Sequence, residues 1–435
     1  MNQKFNDQII DQLKAEAQQN KQIINNLLQE NQALRNYIRD LENPDNANKY
    51  QTIIEKTSSK DSTLVNSSKY LFLIIGVTVT SSVISIGLII NALNRKAIQE
   101  PTNPSLKPET NQGKKPNLPS NQIANNIYQY APYPNLKFNQ NLQSVVNNIV
   151  SYAKSKQFPV DKLSVTLIDV NTGEMAGYQQ ENLVYPASVV KLFWLAALCG
   201  QFSQGIEPYT DKTALQIDIK KMIKNSDNEA ASRIIDRLTT TTSGVELTGE
   251  EYKQWTDKRY LLNDFFEKAG YKGLNISQKT FPIPSEKLDK PKGRDLQIRG
   301  NPESPIRNKI STQQAARLMY EIFTNKAISP EYSQYMQQWL LWDLNSTEWR
   351  NMDPNIGQFN PIRTFFSELL PTDLIFASKA GWTSNTRQEV AFISTRDGKV
   401  SYILSIFAED SSYAQSAKIF PEISLKTFKV MSHKN

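Results

Sequence analysis

One stretch limits the folds open to this chain more than any other. Residues 192–199 read Leu-Phe-Trp-Leu-Ala-Ala-Leu-Cys, without a charged or strongly polar side chain. Lys191 stands directly before them, three residues after Ser188. A helix apolar on every side belongs inside a core. A lysine at its start needs a reason to be there, because lysines are rarely buried without a partner. An amine three residues after a hydroxyl shares a helix face with it. If apolar neighbours strip water from that amine, its neutral form becomes accessible and can take the hydroxyl proton. The pattern is a serine nucleophile with a built-in base.

Such a site needs no histidine, and the chain has one, His433, close to its end. This argues against a Ser-His-Asp triad. With Cys199 as the sole cysteine, it also argues against a zinc site, and no cofactor or metal is implied. Cys199 closes the apolar run and reads as a small buried hydrophobe. The formal net charge of +7 comes from basic residues interleaved with acids. That spread suits an anionic lipid or wall surface, and no nucleic-acid partner is expected.

Three regions precede the catalytic one. Residues 1–45 carry heptads with Ile10, Ala17, Ile24, Asn31 and Ile38 at a, and Leu13, Asn20, Leu27, Leu34 and Leu41 at d. Ile at a with Leu at d favours a parallel two-stranded coiled coil, hence a homodimer. The alternative is one amphipathic helix lying on another surface. After a linker at 46–69, residues 70–93 are uncharged and long enough to span a bilayer as a helix. Lys56, Lys60 and Lys69 before the span balance Arg95, Lys96 and Lys107 after it, so flanking charge sets no orientation. Residues 94–122 hold Pro101, Pro104, Pro108, Pro116 and Pro119 and read as an extended tether.

The remaining residues, 123–435, have the pattern of an α+β domain: an antiparallel sheet with flanking helices and an inserted helical subdomain. Periodicity predicts a helix over 142–156, a strand over 163–170 and a return strand over 175–178. Helices follow at 213–224, 229–238, 261–269 and 313–324. Strands return at 374–378, 389–394 and 400–408, the last two joined by a hairpin turn. A closing helix over 413–431 is expected to break at Pro421.

Ser-x-x-Lys alone is weak, and a second copy, Ser151 to Lys154, sits on an ordinary amphipathic helix. Two further elements strengthen the Ser188 copy. Ser226-Asp227-Asn228 lies between two helices. Ser226 is placed to relay a proton between Lys191 and a leaving nitrogen, and Asn228 to donate its amide to a substrate carbonyl. The same three residues also suit a plain helix N-cap. Lys379-Ala380-Gly381-Trp382 lies on a strand, where Lys379 can face a substrate carboxylate and Gly381 admits close backbone approach. The backbone N–H groups of Ser188 and Trp382 would then make an oxyanion hole. The bland alternative for Lys379 is a charge protecting an edge strand.

These three elements, in this order, resemble the class A β-lactamases and the wider family of penicillin-recognising serine enzymes. The resemblance runs from about residue 142 to the C-terminus. It implies that Ser188 is acylated, Lys191 is its base partner, Ser226 shuttles the proton and Asn228 holds the substrate amide. It implies that Lys379 binds a carboxylate, with Arg387 on the next strand as a second carboxylate-binding residue. Two departures stand out. Ala380 replaces the usual hydroxyl residue. The deacylating glutamate has no clear counterpart, and Glu303 is the candidate chosen from Glu286, Asp295 and Glu303.

The implied activity is hydrolysis of the β-lactam amide through an acyl-enzyme. A D-Ala-D-Ala peptidase or penicillin-binding protein with slow deacylation is the first alternative, and a membrane sensor of β-lactams or wall fragments without turnover is the second. The substrate partners are β-lactams or peptidoglycan stem peptides. Both lie outside a bacterial cytoplasmic membrane. The expected topology is therefore a single-pass membrane protein with a cytoplasmic N-terminus and an extracytoplasmic catalytic domain.

Overall fold

A computed structural model describes residues 134–206, 212–352 and 360–433. The expected coiled coil, linker, membrane span and tether lie outside the described residues. Among those that are described, no helix is long and apolar enough to cross a membrane.

The domain opens with a short strand β1 (Lys137–Phe138) and helix α1 (Gln140–Ser155). Asn139 caps α1 by accepting from the Leu142 N–H. Its apolar residues Leu142, Val145, Val146, Ile149 and Ala153 recur at helical spacing and are buried. Ser151 and Lys154, the second Ser-x-x-Lys copy, are exposed on the opposite side. Strands β2 (Leu163–Asp169) and β3 (Glu174–Tyr178) form the first hairpin.

The helical insertion begins with α2 (Val190–Ser203), buried from Val190 through Gln201. Then come α3 (Lys212–Lys224), α4 (Asn228–Thr239), α5 (Gly249–Lys268), α6 (Arg294–Gln297), α7 (Thr312–Phe323) and α8 (Pro330–Leu340). The chain returns to the sheet through β4 (Leu341–Trp342), α9 (Thr347–Arg350), β5 (Ile375–Trp382), β6 (Arg387–Ser394) and β7 (Ser401–Ala408). Helices α10 (Ser411–Gln415) and α11 (Ile419–Ser432) close the domain.

Among the described residues the strands make one sheet in the order β1-β3-β2-β7-β6-β5-β4. Every neighbour is antiparallel except β1 with β3. Both ends of this domain therefore supply the sheet, and the helices are inserted between them, as the sequence pattern predicts. One sheet face packs on α2 and the other inserted helices, with Val390, Ile403 and Phe407. The other packs on α1 and α11, with Ala391, Leu404 and Ile406. Covered on both faces, β6 and β7 are buried along their whole length.

Three boundaries differ from the sequence expectation. Helix α5 starts at Gly249, far ahead of 261, because its first half is polar and exposed and shows little periodicity. Helix α8 was not expected, although Ser329 and Pro330 are ordinary helix-start residues and the Ser329 side chain caps it. The final helix breaks at 416–418, ahead of Pro421. Pro421 sits in the first turn of α11, where its missing N–H has no intrahelical partner to lose.

Candidate active site

Ser188 sits in a tight 3-10 turn, Ala187–Val189, that runs into α2. Ala187 before it has φ +45°, a left-handed conformation unusual for a residue with a Cβ. The apolar body of α2 fixes the turn, and Trp194 pins the helix by donating to the Ile276 carbonyl at 2.8 Å. Lys191, on the first turn of α2, is wholly buried. Its Nζ lies 3.1 Å from Ser188 Oγ, and the apolar surroundings explain why the amine has almost no water.

The Ser226–Asn228 segment reaches Lys191 from the other side. Lys191 Nζ donates to the Ser226 carbonyl and, at 2.8 Å, to Asn228 Oδ1. Ser226 Oγ is 3.5 Å away. Ser226 has φ +54°, a strained value that turns both its carbonyl and its hydroxyl into the site. Asp227 caps α4, its carboxylate accepting from Ala230 N at 2.7 Å. The two readings of this motif thus divide: Asp227 is the cap, while Ser226 and Asn228 face Lys191.

Strand β5 brings the third element. Lys379 is buried, and its Nζ donates to Ser226 Oγ at 3.1 Å and to its neighbour's carbonyl, Ala380 O, at 2.9 Å. One hydroxyl, Ser226, therefore lies between the two lysines. Gly381 touches the Ser188 turn so closely that a Cβ there would stand 2.7 Å from Ser188 N and 2.8 Å from Pro186 O. Only glycine fits, and the close contact sets the Ser188 N–H beside the strand end that carries Trp382 N–H. Ala380 turns its methyl into the core behind the sheet. The Thr383 hydroxyl is held in the β5–β6 turn 3.0 Å from Thr386 Oγ1.

Burial drives the electrostatics. Lys191 is held well below the usual lysine pKa, first by desolvation and then by the positive charge of Lys379; Asp227 partly opposes this. Desolvation also brings Lys379 down to about 7, against the opposing pull of Glu389. Glu389, buried on β6, is pushed up to about 8 by desolvation, although it accepts from Phe366 N at 2.8 Å. Cys199 is buried and its thiol is pushed up, as expected of a packing residue.

Two expected site residues are not in this assembly. Arg387 donates to the carbonyls of Tyr413, Ala414 and Thr364 and to Thr364 Oγ1, and lies over the rings of Phe365 and Phe420. It clamps α10 and the 362–366 segment to the sheet, and its donors are occupied by the protein itself. Glu303 is exposed on a loop, its N–H bonded to Asn301, and has no bond to Ser188 or Lys191. Glu286 and Asp295 belong to a separate ion cluster with Lys279, Arg259 and Asp236. Among the described residues, no carboxylate is hydrogen-bonded or ion-paired to Lys191 or Ser188. A feature the sequence did not suggest is the strap at 281–288, tied to α4 by Glu229 accepting from Ser285 N and by Ser232 donating to Glu286.

The family model for the β-lactamase enzyme family matches residues 141–216 and 206–431, more than half of the chain. The chain belongs to the β-lactamase enzyme family. No curated protein matches it at a significant level. Solved structures that it matches include a β-lactamase from Sphaerobacter thermophilus, 18% identical, covering 67% of this chain and 97% of that one, TM-score 0.46. An ancestral class A β-lactamase of Gram-negative bacteria is 17% identical, with 66% and 99% covered and TM-score 0.45. The penicillin-binding protein PBP-A is 16% identical, with 69% and 100% covered and TM-score 0.44. The β-lactamase-family domain is the part of the chain that carries the Ser188 site.

Proposed function

We propose that this member of the β-lactamase family is a serine acyl-transfer hydrolase that opens β-lactam amides through an ester on Ser188, and that this ester is long-lived. Its natural substrate class on this reading is the D-Ala-D-Ala end of peptidoglycan stem peptides. The observation that carries the proposal is the coordination of Lys191. A neutral amine has two N–H donors and one lone pair. Two carbonyl-type oxygens, Ser226 O and Asn228 Oδ1, can only accept, so they take both donors. The lone pair is left for the Ser188 hydroxyl at 3.1 Å. The protonated amine has three donors for the same three oxygens, so the proton can pass without rearrangement.

Acylation then runs as follows. Ser188 Oγ bonds to the substrate carbonyl carbon while its proton moves to Lys191 Nζ. Charge develops on the carbonyl oxygen near the backbone N–H groups of Ser188 and Trp382. The C–N bond breaks, and the leaving nitrogen takes a proton from Ser226 Oγ, which is resupplied by Lys191. The Asn228 amide has its Oδ1 committed to Lys191, so its Nδ2 donates to the substrate. Lys379, when charged, holds the carboxylate. Slow ester hydrolysis is supported by the lack of a carboxylate bonded to Lys191 or Ser188 among the described residues, since water attack needs a base.

Both substrate classes occur outside the bacterial cytoplasmic membrane. On that ground the catalytic domain is assigned outside, residues 70–93 to the membrane, and the heptads of 1–45 to a cytoplasmic homodimer.

Intact-mass measurement of the full-length protein with benzylpenicillin and a chromogenic cephalosporin tests the function. The expected result is a stoichiometric adduct on Ser188 that persists for minutes, with little colour change. Rapid turnover would sink the slow-release reading and leave a true β-lactamase. No adduct would sink the acyl-enzyme altogether.

A further inference from the structure

Side chains alternate between the two faces of β6. Arg387 lies over Phe365 and Phe420 on the α1 and α11 side. Gln388 is on the opposite face, with Val390 and Phe392, which pack with α2. Its register partner on β5 is Gly381, the residue pressed against the Ser188 turn. Gln388 is wholly buried. Its Nε2 donates to Tyr185 O at 2.8 Å, and its Oε1 accepts from Ala408 N, at the end of β7, at 2.7 Å. The amide therefore serves the protein's own backbone.

What it holds is the chain that leads into Ser188. Val184 is paired with Ile310 by two backbone bonds of 3.0 and 3.1 Å. Tyr185 N donates to Glu409 Oε1 at 3.1 Å, and Tyr185 O accepts from Gln388. Pro186 has no N–H, and its carbonyl closes the turn by accepting from Val189 N at 3.0 Å. Ala187 then takes its left-handed φ of +45°. Such a conformation costs a residue with a Cβ roughly 1–2 kcal/mol. It persists where the surrounding structure over-determines it. The two residues of one rung of the sheet share that task. Gly381 bears on Ser188 N and Pro186 O by contact, and Gln388 holds Tyr185 O by a hydrogen bond. Trp382 follows Gly381 directly. The same rung thus governs the spacing of the Ser188 and Trp382 N–H groups, the pair assigned to the substrate carbonyl oxygen.

We propose that Gln388 is a positioning residue for acylation: by holding Tyr185 O it keeps the Ser188 N–H aligned with that of Trp382 for the developing oxyanion. This rests on the acyl-enzyme reading of Ser188. It gives β6 a part in the reaction that Arg387, on the other face, does not have.

The test is rapid-quench intact-mass kinetics of the full-length protein with benzylpenicillin, separating the saturating acylation rate constant from the dissociation constant of the non-covalent complex. Gln388→Met keeps the side-chain length and removes the donor to Tyr185 O. The rate constant per folded molecule should fall by about 10- to 100-fold, the scale of a small misplacement of the reacting groups. The dissociation constant should change by less than about threefold. Affinity for phenylboronic acid should fall together with the rate constant, because its tetrahedral adduct on Ser188 sets an oxygen between the same two N–H groups. Gln388→Asn, one methylene too short to bridge both partners, should show the same split, and it decides the matter if Gln388→Met does not fold. An unchanged rate constant per folded molecule, with only the denaturant midpoint lowered, would mark a purely structural tie and overturn the proposal. So would a loss confined to the dissociation constant. Failure of the wild-type protein to be acylated is a different result, which removes the Ser188 reading and this inference with it.

Discussion

Two places in this domain each bury a pair of cations, and they do so by opposite means. Behind α4, Lys279 meets Asp236 at 2.7 Å and Glu286 at 3.5 Å, while Arg259 meets Asp236 at 3.0 Å and Asp295 at 3.4 Å. Three carboxylates surround two wholly buried cations. At the other end of α4, Lys191 has the oxygens of Ser188, Ser226 and Asn228 around its nitrogen and no bonded carboxylate. Lys379 donates to Ser226 Oγ and Ala380 O, and the charge of the buried Glu389 partly opposes the fall in its pKa. The lesson is that burial alone does not make a lysine reactive. A carboxylate partner stabilises the ammonium and keeps it a structural tie. Neutral acceptors in a dry site favour the amine, which can take a proton.

The sharpest way to break this comparison is to remove one member of each pair. Lys191→Ala should slow acylation of Ser188 by about 10²–10⁴-fold, the range for losing a general base. Rapid-quench mass spectrometry reads this, and the fold should survive, because no buried carboxylate is abandoned. A collapse of stability would mean that Lys191 is a structural tie like Lys279. Asp236→Ala should do the reverse. It leaves two buried cations short of their shared partner and should cost on the order of 3 kcal/mol in denaturant unfolding. Acylation per folded molecule should change by no more than about threefold.

Titration sharpens the contrast. Lys379 loses its proton as pH rises through about 7. Acylation by a carboxylate-bearing substrate should therefore fall on the alkaline side of that value. Lys379→Arg keeps the charge and should move the alkaline limb upward by at least a unit in a pH–rate profile. A limb that stays in place would assign it to another group. The smallest effect is expected at Asp227, whose charge supports the protonated form of Lys191. Asp227→Asn preserves the helix cap and removes the charge, so Lys191 should titrate lower. The acid limb of the same profile should then move down by a fraction of a unit. An upward shift would contradict the sign of this interaction.

Much of the candidate site's geometry was legible from local signals. Ser188 and Lys191 were visible because a lysine beside an apolar helix is anomalous, and Gly381 because a glycine on a strand marks close approach. Arg387 was misread because its clamp to Tyr413, Ala414 and Thr364 joins segments far apart in the chain. Glu303 is an acid in roughly the expected interval, but an interval in sequence says nothing about where a loop points, and it is exposed. The strap at 281–288 went unseen for the same reason: Glu229 and Ser232 hold it across some fifty residues.

The sequence by itself determined the strands of the central sheet and the amphipathic helices whose apolar faces must be buried, since hydrophobic spacing is a local property of the chain. It also determined that Ser188 and Lys191 share one helical turn. Only the tertiary structure decided the protonation chemistry. A pKa depends on the water removed and the charges brought near, and here these come from Asp227 and Lys379, segments that meet Lys191 only after folding.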